Sequence, residues 1–205
     1  FDGVTYQKGG RIQNMLRYYV GDSAYFKAMQ VYLQQNKFKN TEAQQWRLAL
    51  EEVSGKDLNW FFDQWYYGSG HPNMEISTEV DTAASVARVI LTQKQKGNVF
   101  AIPVEIDVYT KGKPNRLTWW TKSANDTVTL QFETMPDWID VDPSRLMLWQ
   151  KKINQPAAAW KAQAKYASNH VQKLEVIEQL SSDWKDEEAV YSILEQMISD
   201  KYFGT

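Results

Sequence analysis

Near its start the chain carries a tyrosine, a lysine and two glycines directly before a helical pattern, in the stretch Tyr6-Gln7-Lys8-Gly9-Gly10. A phenol donates a hydrogen bond and stays neutral up to about pH 10. A tyrosine at this place could therefore stabilise a negative charge that develops on a bound molecule. Glycine lets another backbone or a ligand approach closely. The residue types alone leave two interpretations of Tyr6 open, a packed side chain and a working donor, and the packed one is the commoner.

The sequence contains few side chains of the types that usually bind zinc. The chain has no cysteine and two histidines, His71 and His170. Neither belongs to a His-Glu-x-x-His pair, which would place two imidazoles on one helix face. We interpret His71 as a loop residue and His170 as a residue at a helix start. The acidic run 183–188 is typical of a helix opening, and Asp140 and Asp142 are typical of a turn.

The adjacent Trp119 and Trp120 raise the alternative of a carbohydrate-binding sheet. Neighbouring residues of a strand point to opposite faces, so the two rings are not expected to form one platform. The sequence also shows no Ser/His/Asp set and no glycine-rich phosphate loop.

Composition limits the function classes. The chain has 205 residues, 43% of them hydrophobic, and a formal net charge of -2. This supports a real core and one or two domains, and it argues against a nucleic-acid or anionic-membrane surface. No apolar run approaches the roughly 18 residues of a membrane span. The chain begins at Phe1 and stops near a helical pattern, so we expect it to be a piece of a longer polypeptide.

Four predicted helices fill the first third of the chain, since apolar side chains recur three and four positions apart. Asp22 fits the cap of the second helix, Thr41 and Gln44 fit a capping box before the third, and Asp57 fits the cap of the fourth. The predicted inward positions are Ile12, Met15, Leu16, Tyr19, Val20, Tyr25, Phe26, Met29, Tyr32, Leu33, Trp46, Ala49, Leu50, Val53, Leu58, Phe61, Phe62 and Trp65.

Residues 73–154 change to a period of 2. Apolar and polar residues alternate over 102–109 and over 128–133, and 86–92 and 145–150 are further strand candidates. About six or seven short strands with turn residues between them predict a small antiparallel β-sandwich.

The helical period returns after Pro156, a residue suited to a first helical turn. Val171, Leu174, Ile177 and Leu180 are expected to line one helix, and apolar residues within 189–198 to line another. Such helices cannot bury their apolar faces alone, so this segment is typical of the opening of a larger helical array.

Three motifs are similar to those of the zinc aminopeptidases of the aminopeptidase N (gluzincin) family. Tyr6-Gln7-Lys8-Gly9 resembles the family's Tyr-Glu-Lys-Gly, and Val20-Gly21-Asp22 resembles its Val-Gly-Asp. The closing element of the family's catalytic domain resembles Phe62-Asp63-Gln64-Trp65-Tyr66 with Gly70-His71-Pro72. The resemblance is strongest over residues 4–76.

The resemblance implies an α+β multidomain chain with three parts. Residues 1–72 would be the helical tail of a thermolysin-like catalytic domain. Residues 73–154 would be an antiparallel β-sandwich, and residues 155–205 the start of a helical C-terminal domain.

The resemblance also implies an exopeptidase that removes N-terminal residues from peptides. In the full-length parent, a zinc ion held by two His and one Glu would activate water, and these ligands would lie upstream of Phe1. We therefore expect this fragment to bind no zinc and to be inactive. One functional residue carries over: Tyr6 would donate its phenolic proton to the oxyanion of the tetrahedral intermediate. Gln7 replaces the usual glutamate and leaves that donor in place.

An alternative is a non-catalytic scaffold or interaction module that kept the layout without the chemistry. In either case an exposed apolar face of helices within 12–66 favours association, and we predict a dimer or larger assembly in solution. Compartment and residue specificity are not predicted.

Overall fold

The computed structural model describes residues 4–167, 170–183, 191 and 195. The chain forms two compact units. Unit 1 comprises Phe1–Pro72 and Leu146–Trp149, and unit 2 comprises Asn73–Arg145 and Gln150–Thr205. The mixed α+β class is confirmed. The residues after the strands group with the strands in unit 2, and the finer division into three domains stays a prediction.

Unit 1 is helical, and the four predicted helices are confirmed. In chain order its elements are a first π-helical turn at Val4–Lys8, α1 at Gly9–Val20, α2 at Asp22–Gln35, α3 at Ala43–Ser54, α4 at Asn59–Phe62 and a second π-helical turn at Asp63–Tyr67.

The apolar faces of unit 1 follow the predicted period with one exception. α1 buries Ile12, Met15, Leu16 and Val20, and Leu50, Leu58 and Phe62 are fully buried. α2 buries Tyr25 and Ala28, whereas Phe26 is 52% and Leu33 is 60% exposed. The apolar stripe of α2 is wider than the surface that α1 and α3 offer to it, so residues at the edges of the stripe remain outside.

The predicted capping box of α3 exists but lies one residue later. The cap is Glu42, whose backbone N–H donates to Gln45 Oε1 at 2.9 Å, and not the predicted Thr41 and Gln44. The Thr41 hydroxyl instead accepts a hydrogen bond from the Tyr32 hydroxyl at 2.8 Å. Because a hydroxyl and a carboxylate can both cap a helix, the spacing alone did not choose between the two registers.

Asp22 and Asp57 also differ from their predicted roles. Asp22 is the first residue of α2 rather than its cap, which is Gly21, and it pairs with Arg17 at 2.6 Å. Asp57 lies one residue before the cap of α4, and its Oδ1 accepts the Asn59 backbone N–H at 2.9 Å. Both carboxylates still meet cationic or N–H groups at a helix start, as the helix dipole favours.

Unit 2 holds seven strands in the described residues: β1 at Asn73–Asp81, β2 at Val86–Gln93, β3 at Ile102–Thr110, β4 at Lys113–Thr121, β5 at Asn125–Gln131, β6 at Trp138–Val141 and β7 at Gln150–Asn154. They form a four-stranded sheet in the order β5-β2-β1-β7 and a three-stranded sheet in the order β4-β3-β6. Two sheets agree with the predicted sandwich, although β1 and β7 pair in parallel. The predicted strand at 145–150 is wrong, since β7 begins at Gln150 and Leu146–Trp149 belongs to unit 1.

Strand β3 is buried on both of its faces in its central part. Val104 and Ile106 are fully buried, as the alternation predicts. Glu105 and Asp107 on the other face are also buried, because the Arg116 guanidinium on β4 pairs with both carboxylates. Paired charges tolerate burial that isolated ones do not.

The continuous helices described in unit 2 are α5 at Ala157–Tyr166 and α6 at His170–Asp183. The predicted face of α6 is wrong in part: Val171 is 46% and Leu174 is 37% exposed, whereas Gln172 is 1% exposed. Val176 and Leu180 are fully buried. The inward face of α6 therefore contains polar positions, because it lies against a buried polar cluster of β6 and the turn that follows β6.

Two further predictions fall largely outside the described residues, the helix within 189–198 and the acidic run 183–188. Over the part of the chain that is described, no helix is both long and apolar enough to cross a membrane.

Candidate functional site

Tyr6 lies inside a helical stretch and not ahead of one. It is the middle residue of the first π-helical turn, Val4–Lys8, which runs directly into α1 because Lys8 has helical angles. The predicted place just before a helix entrance is therefore corrected by a few residues. π-Helical turns are rare in proteins, and those that do occur are often found at functional sites.

Tyr6 as a residue is 66% exposed. It is therefore not sealed among aliphatic side chains, which is the arrangement that would exclude a working donor. Gly9 and Gly10 follow within α1, and a Cβ placed on either would meet nothing within 4 Å. Within the described residues, neither glycine is required by a positive φ or by a close contact.

Lys8 connects the first motif to the closing element. Its Nζ lies 3.4 Å from the Gly70 carbonyl oxygen, in an exposed contact. This agrees with a structural part for Lys8. The Gly70-His71-Pro72 turn is exposed at His71, as expected for a loop histidine.

A second polar bridge ties α1 to the second π-helical turn. Gln13 Nε2 donates to the Tyr66 hydroxyl at 2.6 Å, and Gln13 Oε1 accepts from the Tyr25 hydroxyl at 2.8 Å. Burial raises the pKa of Tyr66, so this phenol stays neutral. Sequence analysis did not select Gln13, because a single glutamine on an amphipathic helix carries no signal by itself.

The described residues do not fit a zinc site. No group of three or more His, Cys, Asp or Glu side chains that could hold a metal ion occurs among them. His71 and His170 lie in different units. Asp140 and Asp142 are buried, at 2% and 3% exposure. The Asp140 carboxylate accepts hydrogen bonds from the side chains of Arg145 and Gln172.

The two tryptophans of β4 lie on opposite faces, as expected. Trp119 pairs with Val104 and Trp120 with Pro103 of β3, and Trp119 is 37% exposed. The pair does not present one flat platform for a sugar ring.

The architecture as a whole has a solved counterpart. The structure of aminopeptidase A from Legionella pneumophila in complex with aspartic acid superimposes with a TM-score of 0.81 over 98% of this chain and 25% of that one, at 15% identity. The fold is therefore that of part of an aminopeptidase.

The sequence comparisons lead to the same class. The profile of the Peptidase family M1 domain matches residues 1–65. Aminopeptidase N from Lactococcus lactis subsp. lactis is 32% identical over 56% of this chain, and aminopeptidase N from Streptomyces lividans is 34% identical over 46% of it. Glutamyl aminopeptidase from Rattus norvegicus is 25% identical over 83% of it. Residues 1–65 are therefore similar to the Peptidase family M1 domain, and the chain as a whole is similar to part of these aminopeptidases.

The matched regions cover 14%, 11% and 18% of those three relatives. The chain thus corresponds to a small part of the length of the curated proteins that it resembles. The family is in general zinc-dependent, and the described residues contribute no ligand set for that metal.

Proposed function

We propose that this chain is part of a metallo-aminopeptidase that hydrolyses N-terminal residues from peptides, and that Tyr6 stabilises the oxyanion formed during the reaction. The observation that carries the proposal is that Tyr6 is a mostly exposed residue on a π-helical turn, near the start of the segment that matches the M1 peptidase domain.

The chemistry of a phenol suits this role. Attack on a peptide carbonyl places negative charge on the carbonyl oxygen. A neutral donor aimed at that oxygen stabilises the transition state more than the substrate. Helical side chains lean toward the N-terminal end of their helix, where the backbone amides carry partial positive charge. A Tyr6 ring leaving the first described helical turn would thus deliver its proton on the electropositive side.

The zinc ion implied by the family would be held in the full-length parent by residues outside this sequence. We propose that the fragment alone binds no zinc and has no peptidase activity. Incubation of the purified chain with zinc, followed by equilibrium dialysis, tests the first statement. Retention of one equivalent of zinc per chain would contradict it.

The test of Tyr6 is a kinetic comparison in the full-length protein, with an aminoacyl chromogenic substrate. Tyr6→Phe removes only the hydroxyl, and we expect kcat to fall by about 10² to 10³ with KM unchanged, the effect of removing one oxyanion donor. Tyr18→Phe is the matched control, because Tyr18 is a 45% exposed tyrosine on α1. It should behave as the wild type.

Two results would contradict the proposal. A loss in kcat of less than tenfold for Tyr6→Phe would remove the donor role. A full-length wild type with no peptidase activity would favour the non-catalytic scaffold, with the same fold used for interaction only.

We also propose that the chain associates in solution through an exposed apolar surface on unit 1. Phe26, Leu33, Phe38 and Leu48 are all at least half exposed, and exposed apolar surface favours association. Light scattering that gives a monomer mass at all concentrations would contradict this.

A further inference from the structure

Four residues leave unit 2 and join unit 1. The chain departs from unit 2 after Arg145, runs through Leu146–Trp149 as part of unit 1, and returns to unit 2 at Gln150. We name Leu146–Trp149 the strap. Its first two residues are buried, at 8% and 9% exposure. The Leu148 N–H lies 3.2 Å from the sulfur of Met15 on α1.

Two cations of unit 2 bind one carboxylate: Arg145, directly before the strap, and Lys151, the second residue after it. Arg145 Nη2 is hydrogen-bonded to Glu175 Oε2, and Lys151 Nζ lies 2.7 Å from Glu175 Oε1. Each carboxylate oxygen of Glu175 thus takes one cation. The side chains of the three residues are 13%, 14% and 19% exposed for Arg145, Lys151 and Glu175. Ion pairs with so little exposure are screened far less by salt than surface pairs.

Arg145, at the entry of the strap, also binds a carboxylate of strand β6. Arg145 Nη1 donates to Asp140 Oδ1 at 2.8 Å, and Asp140 Oδ2 accepts from Gln172 Nε2 at 2.6 Å. Gln172 and Glu175 are three residues apart and therefore lie on the same face of α6. Burial would lower the pKa of Arg145, but the Asp140 and Glu175 carboxylates outweigh it and raise that pKa, so the guanidinium keeps its charge.

The backbone at this entry is in an unfavourable conformation. Asp142 and Arg145 have φ values of 56° and 49°, in the left-handed region that residues with a Cβ rarely adopt. The turn is closed by the Arg145 N–H, which lies 2.9 Å from the Asp142 carbonyl oxygen. Such conformations persist only where the surrounding contacts determine them. The turn therefore depends on the ion pairs of its own arginine.

We propose that Glu175 is a clasp: by binding Arg145 and Lys151 together, this one residue of α6 fixes both ends of the strap. A displacement of α6 then loosens the entry and the exit of the strap at once. Apolar docking alone would act differently. Val176 and Leu180 are fully buried and would hold α6 in place without constraining either flank of the strap.

The protein carries its own probe for this proposal, because Arg145 is a trypsin site at the first bond of the strap. Glu175→Gln keeps the shape of the side chain and removes its charge. We expect tryptic cleavage after Arg145, followed by mass spectrometry of the intact chain, to become about tenfold faster or more, as the loss of charge-assisted hydrogen bonds implies. Glu178→Gln is the matched control, since Glu178 is an exposed carboxylate one turn further along α6, and it should cleave at the wild-type rate.

Amide hydrogen exchange distinguishes a local effect of Glu175 on the strap from an effect on the stability of the whole chain. In Glu175→Gln, amides of residues 146–149 should exchange faster while those of β1 and β2 keep their rates. Lys151→Met removes one arm, so it should loosen the exit of the strap and leave the Arg145 bond protected. Unchanged cleavage and exchange at the strap in Glu175→Gln would overturn the proposal. Equal acceleration in all peptides would overturn it too, since Glu175 would then act only on global stability.

Discussion

Gly112 occupies a position where an added methyl group has two separable effects. It lies in the turn between β3 and β4 with φ of 74°, and a Cβ there would lie 2.7 Å from the Tyr166 ring. That ring cannot simply move aside, because it stacks on Trp138 with ring centroids 5.9 Å apart, and Trp138 stacks on Tyr109 at 3.8 Å. Gly112→Ala should therefore destabilise unit 2 through both backbone strain and overpacking.

The magnitude follows from a comparison with Gly97. Gly97 also has a positive φ, 99°, but a Cβ there would meet nothing within 4 Å. Left-handed backbone costs an alanine about 1 to 2 kcal/mol, and the lower entropy of the unfolded chain returns about 0.4 to 1 kcal/mol. The stability change of Gly97→Ala therefore measures only the difference between backbone strain and the entropy gain of the unfolded chain, with no steric contribution. Overpacking adds about 1 to 3 kcal/mol, and this is the expected extra loss for Gly112→Ala.

Urea unfolding of the chain, followed by tryptophan fluorescence, measures both variants. In a Tyr166→Ala background the steric part should disappear, so Gly112→Ala should then cost no more than Gly97→Ala. Equal free energies of unfolding for the two alanine variants in the wild-type background would refute the reasoning, because the close approach of Tyr166 would then have no energetic weight.

The remaining predictions concern ion pairs. Arg116→Leu removes the cation that pairs with the buried carboxylates of Asp107 and Glu105. We expect it to lower the free energy of unfolding by about 2 to 4 kcal/mol, less than for a fully buried pair because Arg116 itself is half exposed. Urea unfolding measures this loss, and a change under about 0.5 kcal/mol, the usual range of surface substitutions, would contradict the prediction. The Lys94 ammonium holds the pKa of Glu75 below its ordinary value, so the stability from this pair is present above that value and is lost as the pH falls through the lowered one. Lys94→Met should flatten the acid side of the stability profile, and an unchanged slope below about pH 5 would contradict this.

The helices of unit 1 were predictable because their apolar period is strong, and the same rule failed on α6 for a definite reason. Periodicity assigns apolar residues to the inside, so it selected Val171 and Leu174. The structure buries Gln172 instead and turns Glu175 toward Arg145. These polar residues face inward because their partners are a carboxylate and a guanidinium that lie 30 or more residues away in the sequence. No local pattern contains that information.

The candidate site shows the same division. The motif around Tyr6 could be selected from the sequence, since its residue types and order resemble a family motif. The π-helical turn that carries it could not, because its five residues have no pattern that differs from an α-helical turn. The bridge from Gln13 to Tyr66 also escaped selection, since it joins two helices across 53 residues.

The parallel pairing of β1 with β7 has a practical consequence for anyone who shortens this protein. β7 is the outermost strand of its sheet and is followed along the chain by α5. A version ending before Gln150 would leave residues 73–77 of β1 with unpaired amide and carbonyl groups along one side. Such an edge is a template for strand addition by another molecule. Precipitation of that shortened version, and recovery of solubility when residues 150–154 are restored, would be the laboratory sign of this edge.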